Sequence, residues 1–131
     1  MDDVTYKGDP LFKSEVREGM RVDWDVPIEM DDGIVLRANV YRPDDDGQYP
    51  VIMSHGPYGK DLHFEEIYKT CWDLMCENHP DVPRGSTNIH QAWEVADPEK
   101  WVPHGYVLVR VDSRGAGRSP GYLEHFNVRE T

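Results

Sequence analysis

Apolar and polar residues alternate with a period of two from Arg21 onward. Val22, Trp24, Val26, Ile28 and Met30 fall on one side and Arg21, Asp23, Asp25, Pro27 and Glu29 on the other, the pattern of a strand with one wet face. Pro27 inside it predicts an edge strand. After Asp31-Asp32-Gly33 the alternation resumes, with Ile34, Leu36, Ala38 and Val40 on one face and Arg37 and Asn39 on the other. An Asp-Gly turn between two alternating strands predicts a hairpin. Beyond the polar loop from Arg42 to Gly47, the run Val51-Ile52-Met53 is continuous, and Tyr106 to Val111 is nearly so. Such strands are expected to be buried on both faces.

Between those runs, Phe64, Ile67, Tyr68, Cys71, Trp72 and Met75 recur at three- and four-residue intervals. They predict an amphipathic helix from Phe64 to Asn78, stopped near His79-Pro80. Pro83 to Ala92 is irregular. Asp97-Pro98 reads as an N-cap with proline at the first position of a short helix through Trp101. Residues Met1 to Met20 follow neither period and read as an N-terminal extension that packs late or not at all, which leaves 21–131 as the folded unit. A hairpin followed by strand, helix and strand is the opening of a mixed sheet whose later strands are parallel and joined by crossover helices.

Composition removes several classes of function. A chain of 131 residues suits one core. Its 25 acidic and 14 basic residues give a net charge of −11, which repels phosphate backbones and anionic membrane surfaces. Neither nucleic acid nor membrane is expected as a partner. No apolar run reaches the roughly 20 residues of a membrane span, and the start lacks the basic and then apolar regions of a signal peptide, so the expected setting is cytoplasmic. Cys71 and Cys76 are five apart on one helix, point in different directions and are expected to be reduced. His63, His79, His90, His104 and His125 form no ligand spacing, and Asp44-Asp45-Asp46 reads as a solvated turn. No metal and no cofactor is expected.

Two loops carry candidate chemistry. Ser54-His55-Gly56-Pro57-Tyr58-Gly59-Lys60-Asp61 leaves the third predicted strand, where open sheets of this kind line their ligand crevice. A Tyr58 hydroxyl held between proline and glycine can donate to a developing oxyanion, or Tyr58 can simply cover a turn. The second loop, Asp112 to Gly121, contains Gly117-Arg118-Ser119-Pro120-Gly121, which matches the G-x-S-x-G string of a nucleophile elbow. An elbow requires a backbone N–H after the serine and a sharp turn at the strand end. Pro120 has no N–H, and Ser119 lies well past Val111, so Ser119 is not expected to be a nucleophile. Ser54, Ser86 and Ser113 lack an elbow context as well.

In this order and spacing, five segments resemble the cocaine esterase and Xaa-Pro dipeptidyl-peptidase family of serine hydrolases. They are Val26 to Leu36, Asn39-Val40-Tyr41-Arg42-Pro43, Tyr49-Pro50-Val51-Ile52, Pro57-Tyr58-Gly59-Lys60, and Asp112 to Gly121. The resemblance spans Arg21 to Thr131 and implies the N-terminal part of an α/β-hydrolase fold, with an incomplete sheet. It also implies acyl transfer from an ester, amide or X-Pro peptide through a Ser-His-Asp triad, with Tyr58 as the oxyanion-hole hydroxyl and Asp112 and Arg114 shaping the floor of the site. In that family the nucleophile, acid and histidine come after the Arg129-Glu130-Thr131 stretch. The 131-residue chain is therefore expected to lack the triad and to leave one side of the Val51 to Met53 strand uncovered. The competing readings are a non-catalytic β-rich interaction module and an acidic metal-binding protein.

Overall fold

The computed structural model describes residues 6, 8–124 and 128. His125, residues 1–5 and residues 129–131 lie outside them. Five strands form one sheet in the order β1-β2-β3-β5-β4: β1 (Lys13–Arg17), β2 (Met20–Glu29), β3 (Val35–Arg42), β4 (Val51–Gly56) and β5 (Val107–Asp112). Only β4 and β5 run parallel; the other three pairs are antiparallel. Their crossover carries α1 (Phe64–Ile67), α2 (Lys69–Asn78), α3 (Pro98–Trp101) and a 3-10 turn at Val102–His104. The hairpin forms where the Asp-Gly signal places it. Gly33 takes φ 82°, and the Met30 N–H donates to the Ile34 carbonyl at 2.8 Å.

A single extra residue organises both faces. Asp23 pairs with Val40 and Val26 with Ala38, so Trp24 and Asp25 together oppose Asn39. This is a β-bulge, and it moves the even-numbered residues of β2 to the other face. Met20 and Val22 pack with Tyr41, Leu108 and Val102. Past the bulge, Val26 packs with Leu36, Ala38 and Val111. Asp25, at φ 53°, turns inward, and Asp23, Asp25 and Asn39 are all buried. The simple alternation placed these three on the wet face, because no period-two reading contains the bulge.

Other expectations are corrected in the same way. Lys13–Arg17, read as part of an extension, is the outer strand and pairs with Met20 to Trp24. Pro27 lies beyond that pairing, so β2 is interior at its start and an edge only where the proline stands. β4 is not buried on both faces. Val51 is 57 % and Met53 61 % exposed, because β5 flanks one side and no strand flanks the other among the described residues. The helix breaks at Tyr68, φ −125° and ψ 53°, whose ring packs on Trp93 with centroids 4.6 Å apart. Phe64 meets Trp72 and Trp93 edge-on. Cys71 and Cys76 are free thiols, and no helix among the described residues is long and apolar enough to cross a membrane.

α3 begins as expected: the Asp97 carboxylate accepts from the Glu99 N–H at 3.1 Å, with Pro98 in the first turn. Its other oxygen accepts from the Gln91 amide at 3.2 Å. Asp97→Ala is expected to cost about 1–2 kcal/mol, read as a lower urea midpoint with an unchanged m-value.

Candidate active site

The Pro57 to Asp61 loop leaves the carboxyl end of β4 beside that of β5, and it is fastened on both flanks. The Ser113 N–H donates to the Gly56 carbonyl at 3.0 Å, and the Lys60 N–H donates to Asp112 Oδ1 at 2.6 Å. Gly59 takes φ 85°, a left-handed conformation that lets the chain turn sharply between these anchors. Tyr58 projects from the loop, 46 % exposed. It borders a cavity of about 140 Å³ with Pro57, Trp93, Glu94 and Arg110. Among the described residues its hydroxyl has no hydrogen-bond partner.

Behind the loop lies a buried charge cluster. The Lys60 ammonium, with its side chain 1 % exposed, stands 2.6 Å from Asp25 Oδ1, 2.8 Å from Asp61 Oδ2 and 3.7 Å from Asp112 Oδ2. Burial works against its charge, but the hydrogen bonds to Asp25 and Asp61 and the field of the carboxylates outweigh it and hold Lys60 above the ordinary lysine range. Asn39 completes the cluster: its Oδ1 accepts from the Asp25 N–H at 3.1 Å and its Nδ2 donates to Asp61 at 2.8 Å. Asp112 joins the two loops, since its second oxygen accepts from the Arg118 N–H at 2.9 Å.

Ser119 sits under this arrangement and is buried. Its hydroxyl donates to the Asp112 carbonyl at 2.6 Å and accepts from the Arg37 N–H at 2.9 Å. Both hydrogen-bonding functions are committed to holding the loop against β3. Arg114 reaches out to Asp32 at 2.7 Å, tying the same loop to the hairpin turn.

Sequence reasoning singled out Tyr58, Ser119 and Asp112, and the structure ties Asp112 through the Lys60 N–H to the loop that carries Tyr58. It missed Asp25, Asn39 and Asp61, and gave Lys60 no separate role. Arg110, buried on β5, was passed over as well. The signal was there for one of them. An arginine inside Val107 to Val111 interrupts an otherwise apolar run, and a polar group buried in this way requires partners.

These strands and loops are the N-terminal portion of an α/β-hydrolase fold, with its crevice loops at the ends of β4 and β5. The family model of the X-Pro dipeptidyl-peptidases (S15 family) matches residues 32–131, and the chain belongs to that family. Among solved structures it is similar to a CocE/NonD family hydrolase (SACOL2612) from Staphylococcus aureus. One crystal structure of that protein is 35 % identical, with a TM-score of 0.65 over 85 % of this chain and 18 % of that one. A second is 30 % identical, with a TM-score of 0.69 over 99 % and 23 %. An α-amino acid ester hydrolase, 20 % identical with a TM-score of 0.50 over 94 % of this chain and 17 % of that one, shares the fold. No curated protein sequence gives a match. The chain spans about a fifth of the length of these solved structures.

Proposed function

We propose that residues 21–131 are the N-terminal part of the catalytic domain of a serine hydrolase that transfers acyl groups from esters, amides or X-Pro peptides to water, and that Tyr58 supplies one donor of its oxyanion hole. The observation that carries this reading is a phenol without a hydrogen-bond partner among the described residues, on a loop anchored at both ends, at the crevice of a chain in the X-Pro dipeptidyl-peptidase family. A donor held in place before the reaction loses little in reorganisation as negative charge develops on the substrate oxygen, and it acts most strongly where water is excluded. The triad serine, acid and histidine lie outside the 131 residues in this reading, because Ser119 has its hydroxyl closed off.

The reading is tested on the complete product of the natural reading frame that carries this segment. That product is expected to react with a serine-directed fluorophosphonate, whereas the 131-residue chain does not. Tyr58→Phe is expected to lower kcat by about 10²–10³, with KM nearly unchanged. Full activity of Tyr58→Phe would remove the tyrosine from the mechanism, and stoichiometric labelling of the 131-residue chain would restore one of its own serines as a nucleophile.

A further inference from the structure

The bulge on β2 puts a charged residue in an unusual backbone conformation. Trp24 and Asp25 together oppose Asn39, and Asp25 takes φ 53°, in the left-handed region that residues with a Cβ rarely adopt. The conformation is fixed from both sides. The Asp25 N–H donates to Asn39 Oδ1 at 3.1 Å, and the Asp25 carbonyl accepts from Arg37 Nη1 at 3.0 Å. Bulges re-aim side chains, and backbone strain that the surroundings enforce gathers at functional sites. What this bulge delivers is a buried carboxylate whose Oδ1 accepts from the Lys60 ammonium at 2.6 Å.

Lys60 stands two positions beyond Tyr58, and its three carboxylates act on it differently. Asp61 is its neighbour in the loop, so their 2.8 Å contact ties the loop to itself. Asp112 accepts from the Lys60 N–H at 2.6 Å and stands 3.7 Å from the ammonium, so it holds the main chain. Among the described residues, Asp25 is the one that hydrogen-bonds the ammonium from outside the loop. Its other oxygen lies 3.7 Å from the Arg118 guanidinium, beyond hydrogen-bond reach. Lys60 is thereby held at both ends, its main chain against β5 and its ammonium against β2, and only Gly59 separates it from Tyr58. Without the Asp25 charge, the ammonium's remaining hydrogen-bond partner is the half-exposed Asp61.

We propose that Asp25 is a positioning residue for the Tyr58 hydroxyl, acting through Lys60. This role rests on Tyr58 serving as an oxyanion donor and names what aims it. A displacement of about 1 Å at a reacting centre can cost about 100-fold in rate. A contact made in full only in the transition state loses kcat rather than KM when it is misaligned.

The test is a double-mutant cycle on the complete product of the natural reading frame. Rates are expressed per serine titrated to completion with a fluorophosphonate, so that unfolded chain is not counted. Asp25→Asn keeps the side chain's shape and a residue type that tolerates the left-handed region. It is expected to lower kcat by about 10-fold or more, with KM within about two-fold. In a Tyr58→Phe background the same substitution is expected to change kcat by less than about two-fold, because the group it aims is gone. A purely structural role would give the same fractional loss with and without the phenol. If Asp25→Asn fails to fold, Asp25→Glu keeps the charge opposite Lys60 but lengthens the reach by one methylene, and it runs the same cycle with the same expected pattern. Equal fractional losses in both backgrounds, or an unchanged kcat in the Asp25 variant while Tyr58→Phe is impaired, would overturn the role of Asp25 and leave that of Tyr58. Full activity of Tyr58→Phe would remove both.

Discussion

Lys60→Met is expected to destabilise the chain by about 3–5 kcal/mol, the usual cost of breaking a buried ion pair from one side. That is a large part of the roughly 5–15 kcal/mol that holds a domain together. The substitution keeps most of the side chain's bulk and removes the ammonium that faces Asp25, Asp61 and Asp112, leaving the half-exposed Arg118 guanidinium 3.7 Å from Asp25 and 3.8 Å from Asp61. Asp61, at 42 % side-chain exposure, can turn to water and contributes little. The loss comes from Asp25 and Asp112, which are buried and would lose their buried counter-charge. Urea unfolding followed by circular dichroism measures it. The pH dependence has a definite sign. Because Lys60 titrates above the ordinary lysine value in the folded chain, its stabilisation is complete below about pH 10.4 and fades as pH rises through the raised value. The gap between natural chain and variant is therefore expected to hold steady from neutral pH and to narrow only in strong alkali. Equal urea midpoints at pH 7 would show that the cluster adds no net stability.

Gly117→Ala is expected to cost at least about 3 kcal/mol, through two separate effects. Gly117 has φ 51°, and a left-handed residue with a Cβ pays about 1–2 kcal/mol. A Cβ there would also stand 2.5 Å from the Asp112 carboxyl carbon and 2.7 Å from its Oδ1. The carboxylate would have to leave the Lys60 and Arg118 N–H groups, each a charge-assisted hydrogen bond worth about 1.5–3 kcal/mol. Gly105→Ala separates the two effects. Gly105 has φ 83°, but the nearest atom to an added Cβ is Tyr49 Cδ1 at 3.6 Å, so only the backbone cost of about 1–2 kcal/mol should appear. Thermal unfolding of both variants side by side checks this; equal losses would mean that Asp112 moves aside freely.

The elements legible in the sequence were those set by local chemistry. The hairpin follows from Gly33, the α3 start from Asp97-Pro98, and β5 from the apolar run Tyr106 to Val109. The features that escaped depend on contacts distant in sequence. Nothing local marks Trp24 and Asp25 as a bulge, because the extra residue exists only relative to Asn39 on the partner strand. β1 has too little alternation to declare itself, and its order comes from pairing with Met20 to Trp24. The continuous run Val51 to Met53 hid how exposed its side chains are, although the uncovered side that the family resemblance implied is there: among the described residues β4 has one neighbour. In the site, the Pro57-Tyr58-Gly59-Lys60 loop was readable as a motif. What holds it, a carboxylate fifty-two positions away at Asp112, was not.

The placement of β5 also bears on how the chain must be made. β4 is complete at Gly56, but its sheet partner begins only at Val107, which also supplies the link to β3. At about 5–20 residues per second, the ribosome takes roughly 3–10 seconds to synthesise what lies between. Throughout that interval Val51, Ile52 and Met53 are outside any sheet while the β2–β3 hairpin can already close. The nascent chain thus passes through a stage in which a finished hairpin trails a bare apolar strand. That is the point in its synthesis at which a trigger-type chaperone, or a neighbouring nascent chain, would find the most to hold.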